Sequence, residues 1–266
     1  AGSVGVRCYR LREEGPGVEE VALTDTEEGS VGAVSWPLPS SEFEGLWESV
    51  WVLPEAKRDL LSHAETGMFF SSRGVDATMV SVNRLLLIHG PPGTGKTTLC
   101  KGLAQKLSIR LRDRFPHAVL LEINAHSLFS KWFSESGKLV ARLFEQIGEL
   151  VADPDCLVCV MVDEVESLTA ARSAAIAGSE PSDAVRVVNA LLTQLDALRR
   201  HQNVLILATS NLTHALDDAF LDRADLKLFV DLPNPTARAA ILQSCLAELQ
   251  RAGVVRPTSP HDLTSD

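Results

Sequence analysis

The chain lacks the excess of basic residues that a large nucleic-acid-binding surface needs. Lys and Arg number 25 against 35 Asp and Glu, a formal charge of −10. No Lys/Arg-rich block interrupts that balance, so no direct nucleic-acid partner is expected. Long apolar stretches are also missing. The run Leu157–Val162 is far short of the roughly 20 residues that span a bilayer, and no membrane partner is expected. No charged segment followed by an apolar one opens the chain as a secretory leader would. The first residue is Ala1 rather than Met, and the chain is expected to lack its true N-terminus. There is no internal repeat.

Cysteines are few, and their arrangement excludes a disulfide framework. The 5 are scattered and odd in number, which suits a reducing compartment. Cys156 and Cys159 form a C-x-x-C, but they sit in Cys156-Leu157-Val158-Cys159-Val160-Met161-Val162, which reads as a buried strand. Residues three apart on a strand face opposite ways, so their sulfurs diverge. No second Cys/His pair lies nearby to complete a zinc site. Both are expected in the core.

What is present is an alternation of strands and helices. Residues 1–35, rich in Glu, Gly, Ser and Thr, read as a tail and linker with a short strand-like start at Val6–Leu11. A helix is predicted from Pro54 to Thr66, with Pro54 at the first helical position. Strands are predicted at Arg84–Ile88, Ala118–Ile123, Cys156–Val162, Val204–Ala208 and Leu226–Val230. Amphipathic helices follow at Glu135–Val151 and Asp183–Arg199. Near-continuous apolar strands between amphipathic helices imply an α/β fold, a parallel sheet with helices on both faces. Such sheets bind ligands at the carboxyl ends of their strands. Pro233–Pro235 closes this unit, and a last helix, Thr236–Gln250, begins something the chain does not finish.

Gly90-Pro91-Pro92-Gly93-Thr94-Gly95-Lys96-Thr97 fits G-x-x-x-x-G-K-[ST] at every fixed position, with a strand running in and a helix, Thr97–Leu111, running out. Glycines allow backbone N–H groups to surround a β-phosphate, and the helix N-terminus faces the same anion. Lys96 would meet the β- and γ-phosphates of ATP, and the Thr97 hydroxyl, followed by Thr98, could ligate Mg²⁺. A merely structural Gly-rich turn is the competing reading. The strand Cys156–Val162 ends in Asp163-Glu164. Asp163 would hold Mg²⁺, directly or through water, and Glu164 would polarise the water that attacks the γ-phosphate. Acids placed to favour a helix N-terminus are the alternative. Asn211, just past the strand Val204–Ala208, could hold that water or could simply cap a helix. By its place before the phosphate loop, Leu46–Val52 is the candidate for the adenine contact.

Together these elements resemble the AAA+ ATPases. Ser127-Leu128-Phe129-Ser130-Lys131-Trp132-Phe133-Ser134-Glu135-Ser136-Gly137-Lys138-Leu139, Asp163–Arg172 and Asp222-Arg223-Ala224-Asp225 narrow the likeness to the pachytene checkpoint subfamily, from about Trp36 to Leu249. The resemblance implies a P-loop NTPase sheet over residues 36–232. Residues 1–35 would then be the remnant of an N-terminal domain, and residues 233–266 the start of a truncated helical lid. It implies ATP and Mg²⁺ as cofactors and a homo-hexamer. The hexamer would remodel HORMA-domain proteins, reached through an adaptor, in meiotic chromosome and spindle checkpoint control, in nucleus and cytoplasm. Trp132 and Phe133 would line the central pore on this resemblance, although the adjacent aromatics taken alone read rather as packing under the helix from Glu135. Arg223 is the candidate trans-acting arginine, in a segment without the Pro-Gly of many family members. An ion pair with Asp222 or Asp225 is its alternative. The rival functions are an ATP-gated clamp without turnover and a DNA-acting ATPase, the latter at odds with the acidic balance.

Overall fold

A computed structural model describes residues 7–21, 30–76, 79–125, 136–167, 183–211 and 218–256. Its seven strands form one sheet: β1 (Gly17–Val21), β2 (Ser30–Leu38), β3 (Leu85–His89), β4 (His117–Asn124), β5 (Cys156–Asp163), β6 (Val204–Ser210) and β7 (Leu226–Phe229). The order across the sheet is β1-β2-β4-β5-β6-β3-β7. The five strands from β4 to β7 in that order pair in parallel, and β2 and β1 extend the sheet antiparallel beyond β4. Every strand expected from apolar runs is present within two residues of its expected bounds.

The side-chain alternation of a strand sends successive residues to opposite faces, and here it separates two cores. Leu85, Leu87, Leu121, Ile123, Val158, Val160 and Ile206 pack under α4 (Ser136–Val151) and α5 (Asp183–Leu198). Leu86, Ile88, Leu120, Cys159, Met161 and Leu207 pack on the other face, under α2 (Pro54–Ser72) and α3 (Lys96–Arg110). Such burial stabilises by about 1.5–3 kcal/mol per large aliphatic side chain. Cys156 and Cys159 fall into opposite cores, as their spacing requires. Burial pushes the Cys156 thiol up to about 11 and the Cys159 thiol up to about 12. Among the described residues no helix is long and apolar enough to cross a membrane.

Three readings of the sequence need correction. Residues 17–21 and 30–35, expected as linker, are strand, because β2 pairs with β4 from Val34↔Glu122 to Leu38↔Ala118 and β1 pairs with β2. The strand-like start is not one, since residues 7–11 are irregular and only Arg12 bridges to Ser40. Helix α2 continues past Thr66 to Ser72. Gly67 does not stop it; a Cβ there would lie 3.3 Å from the Arg84 side chain, a contact that a shift of a few tenths of an ångström would relieve.

Two buried polar side chains bind the frame together. Asn203 Nδ2 donates to the carbonyls of Val151, Asp153 and Cys156, joining the end of α4 to the start of β5. The Gln105 amide exchanges two hydrogen bonds with the Ser40 backbone, clamping the end of β2 to α3. A 3-10 turn (Ser41–Phe43), the short helices α1 (Leu46–Ser49) and α6 (Asp218–Leu221) and the final α7 (Pro235–Arg251) complete the described elements.

Candidate active site

The phosphate loop runs from the end of β3 into α3, on the carboxyl edge of the sheet. Gly90 has φ 148°, and a Cβ on it would lie 2.0 Å from the Val230 carbonyl oxygen, so only glycine lets the loop pass the end of β7. Gly95 (φ 85°) is the N-cap of α3 and supplies no side-chain acceptor. The N–H groups of the first turn therefore remain open to an anion. Thr94 Oγ1 donates to the Pro91 carbonyl at 3.0 Å and holds the turn. Pro92 and Gly93 are exposed at its tip, and Thr98 is half-buried beside Thr97. Lys96 is buried, and its Nζ donates to the Gly90 and Pro91 carbonyls at 3.0 and 2.7 Å. That burial lowers its pKa, while Glu166 and Asp163 act in the opposite sense. His89, just before the loop, has its pKa lowered by burial and by the nearby Lys227 and Lys96.

Asp163 ends β5 facing this loop. Thr97 Oγ1 lies 3.1 and 3.3 Å from its two carboxylate oxygens, and Thr209 Oγ1 donates to Oδ1 as well. Glu164 follows with φ 59°, in the left-handed region, and its N–H donates to Thr209 Oγ1 at 3.2 Å. The Asn211 backbone N–H donates to Glu166 Oε1 at 3.1 Å, and so the residues just beyond β5 and β6 are tied together. The structure thus brings Lys96, Thr97, Asp163, Glu164 and Asn211 to one edge. It adds Thr209 and Glu166, which the sequence reading passed over. Thr209 lies two residues before Asn211, but nothing in the sequence there reveals a hydroxyl shared with the neighbouring strand.

A mainly apolar groove of about 570 Å³ adjoins the loop, lined by Trp51, Leu53, Phe229, Val230, Leu232 and Asn234 among others. The sequence reading placed the adenine contact at Leu46–Val52. Of that segment only Trp51 and Val52 line the groove, and Val50 instead packs against the position a Gly95 Cβ would take. The groove's other wall comes from the end of β7 and the residues after it, far off in sequence.

Arg223 pairs with neither Asp222 nor Asp225. Its Nε and a terminal nitrogen donate to the two oxygens of Asp196 on α5 at 3.0 and 2.8 Å. That bond lowers the Asp196 pKa. Asp225 is engaged elsewhere, accepting the Arg84 N–H at 2.5 Å. Trp132 and Phe133 lie outside the described residues.

Comparison with known proteins agrees with this architecture. The family model AAA, "ATPase family associated with various cellular activities", matches residues 86–232. The Pachytene checkpoint protein 2 homolog of Gallus gallus is 54% identical over 255 residues, covering 96% of this chain and 59% of its own length. The structure of C. elegans PCH-2 matches with a TM-score of 0.79 and 47% identity, covering 94% of this chain and 59% of that one. The E. coli MS115-1 HORMA:CdnC:Trip13 complex matches with a TM-score of 0.65 and 21% identity over 81% of this chain and 74% of that one, a likeness of fold alone. The chain spans less than two thirds of the curated relatives it matches.

Proposed function

The chain belongs to the AAA family of ATPases, and from that premise we propose that it binds ATP with Mg²⁺ and hydrolyses it to ADP and phosphate. The observation that carries the reading is the convergence of Thr97 and Thr209 on Asp163, beside a phosphate loop whose lysine is already turned inward. The residues fit Mg²⁺. Among the described residues no three His, Cys, Asp or Glu side chains form a closed metal cage. Mg²⁺ is typically held by one or two carboxylates together with substrate phosphates and water. Thr97 and Asp163 would hold it, and when bound it supplies positive charge to the β- and γ-phosphate oxygens. Lys96 and the open N-terminus of α3 neutralise the same phosphates. The groove between Trp51 and Phe229 receives the base. Glu164 accepts a proton from the attacking water as its oxygen bonds to the γ-phosphorus. The bond from that phosphorus to the β–γ bridging oxygen breaks, and ADP leaves.

The wider reading is an ATP-driven homo-hexamer that remodels HORMA-domain proteins through an adaptor, without direct contact to nucleic acid or membrane. It acts in meiotic chromosome and spindle checkpoint control, in nucleus and cytoplasm. Its support is the subfamily-specific strings at Ser127–Leu139, Asp163–Arg172 and Asp222–Asp225, together with 54% identity to a Pachytene checkpoint protein 2 homolog. Arg223, the proposed trans-acting arginine, would have to exchange Asp196 for a neighbour's nucleotide.

The test compares full-length protein with its Glu164→Gln variant, measuring ATP binding and steady-state hydrolysis with and without a purified HORMA-domain protein. The variant should keep ATP binding and lose about 10²-fold or more in turnover. The HORMA protein should change wild-type turnover. Near-normal hydrolysis in the variant removes Glu164 from its role, and indifference to the HORMA protein removes the substrate class.

A further inference from the structure

Thr209 touches three consecutive residues of the turn that carries the acids. Its hydroxyl donates to Asp163 Oδ1 and accepts the Glu164 N–H at 3.2 Å, and its carbonyl accepts the Val165 N–H at 3.0 Å. It is 2% exposed, so no water replaces these bonds. A hydroxyl has one proton and two lone pairs, which here allows it to serve an acceptor and a donor on adjacent residues. The donor belongs to a residue in an uncommon conformation, since Glu164 is one of only two non-glycine residues with positive φ among those described. Such a conformation persists where neighbouring contacts over-determine it. The β-branched side chain of threonine also restricts χ1, which keeps the hydroxyl in place.

We propose that Thr209 is a positioning residue of the hydrolytic site, fixing the Glu164 turn and the Asp163 carboxylate through one shared hydroxyl. The inference rests on the ATPase reading above. Thr209 acts through its neighbours and not on the reacting atoms. It acts by aiming Glu164, and a misplacement of about 1 Å at a reacting centre can lower a rate about 10²-fold.

The experiment uses full-length protein carrying Thr209→Val, Thr209→Ser or Glu164→Gln, and the double variant Thr209→Val/Glu164→Gln. Steady-state kcat and KM for MgATP are measured, with binding of a fluorescent ATP analogue and thermal midpoints. The valine variant should lose about 10- to 100-fold in kcat, with analogue affinity within a few-fold of wild type. The serine variant should recover most of the rate. In the Glu164→Gln background the valine change should cost much less than in wild type, because the residue whose aim sets the rate is already disabled and only the Asp163 contact is left to lose; an equal cost in both backgrounds overturns the proposal. A valine variant within twofold of wild type in kcat overturns the proposal. So does a serine variant as impaired as valine, or a loss of binding parallel to the loss of rate. If valine prevents folding, Thr209→Ala takes its place under the same criteria. Failure of both to fold also overturns it, since the hydroxyl would then serve the fold rather than the site. An unimpaired Glu164→Gln variant instead sinks the underlying hydrolysis reading, which separates the two failures.

Discussion

Replacing Gly90 with alanine tests how tightly the phosphate loop and the sheet are built against each other. The added methyl would lie 2.0 Å from the Val230 carbonyl oxygen and 3.0 Å from its carbon. Carbon-to-carbonyl-oxygen contacts settle near about 3.3–3.6 Å, so the loop and the end of β7 must part by more than about 1 Å. One bond lies across that gap, the Val230 N–H to the His89 carbonyl at 2.8 Å. It is worth about 1 kcal/mol net. A side chain at φ 148° adds about 1–3 kcal/mol of backbone strain. The expected loss is about 2–4 kcal/mol, a large part of the roughly 5–15 kcal/mol that holds a domain together. The melting midpoint should fall by on the order of 10 °C. Gly93→Ala is the internal control. Gly93 also has positive φ, 76°, but a Cβ there meets nothing within 4 Å, so its cost should be only the backbone term of about 1–2 kcal/mol. Urea unfolding followed by circular dichroism, with thermal melts alongside, measures both variants. Equal stability of the two, or a Gly90→Ala protein within about 1 kcal/mol of wild type, would refute the packing argument.

Burial lowers the Lys96 pKa, so affinity for MgATP should weaken as pH rises, beginning below the ordinary lysine titration near about 10.4. Lys96→Arg should bind without that alkaline decline because a guanidinium does not titrate there, and an identical decline in both proteins would assign it to another group. With the Cys156 thiol pushed up to about 11 and Cys159 up to about 12, and Cys100 buried as well, only the exposed Cys8 and Cys245 should react quickly with a thiol reagent at pH 8. The other three should react only on unfolding, and a third fast thiol in native protein would contradict the core placement.

The parts of the fold legible in the sequence are those whose signal is local. Runs such as Leu85–Ile88 and Val204–Ala208 are apolar on both faces because both faces are covered, and that can be seen without knowing what covers them. The phosphate loop is legible because glycine and lysine are demanded at fixed offsets within eight residues. Illegible features depend on distant partners. The strands β1 and β2 read as linker because their Gly, Ser and Glu content masks the pairing: β2 pairs with β4, 80 or more residues away, and β1 pairs with β2. The Arg223 contact was sought among neighbouring aspartates and lies with Asp196, 27 residues earlier. The groove is illegible for the same reason, since one wall is the end of β7 and the residues after it, about 180 residues beyond the Trp51–Leu53 wall.

The bonds within the site also explain why so polar an edge can be drawn out of water. A buried ammonium or carboxylate without partners is costly, yet Lys96 has the Gly90 and Pro91 carbonyls, and Asp163 has two threonine hydroxyls. Nucleotide therefore exchanges partners rather than filling a void of unsatisfied charge. Lys96 must leave two carbonyls to meet phosphate, and the affinity it contributes is only the difference between the two arrangements. Asp163 does not face the same exchange, because Thr97 can keep its proton on the carboxylate while its lone pairs turn to a cation. The lysine is thus the group whose contacts change on binding. The Asp163–Thr209–Glu164 cluster is held by bonds that do not involve ligand, and so can remain in place for the step that follows.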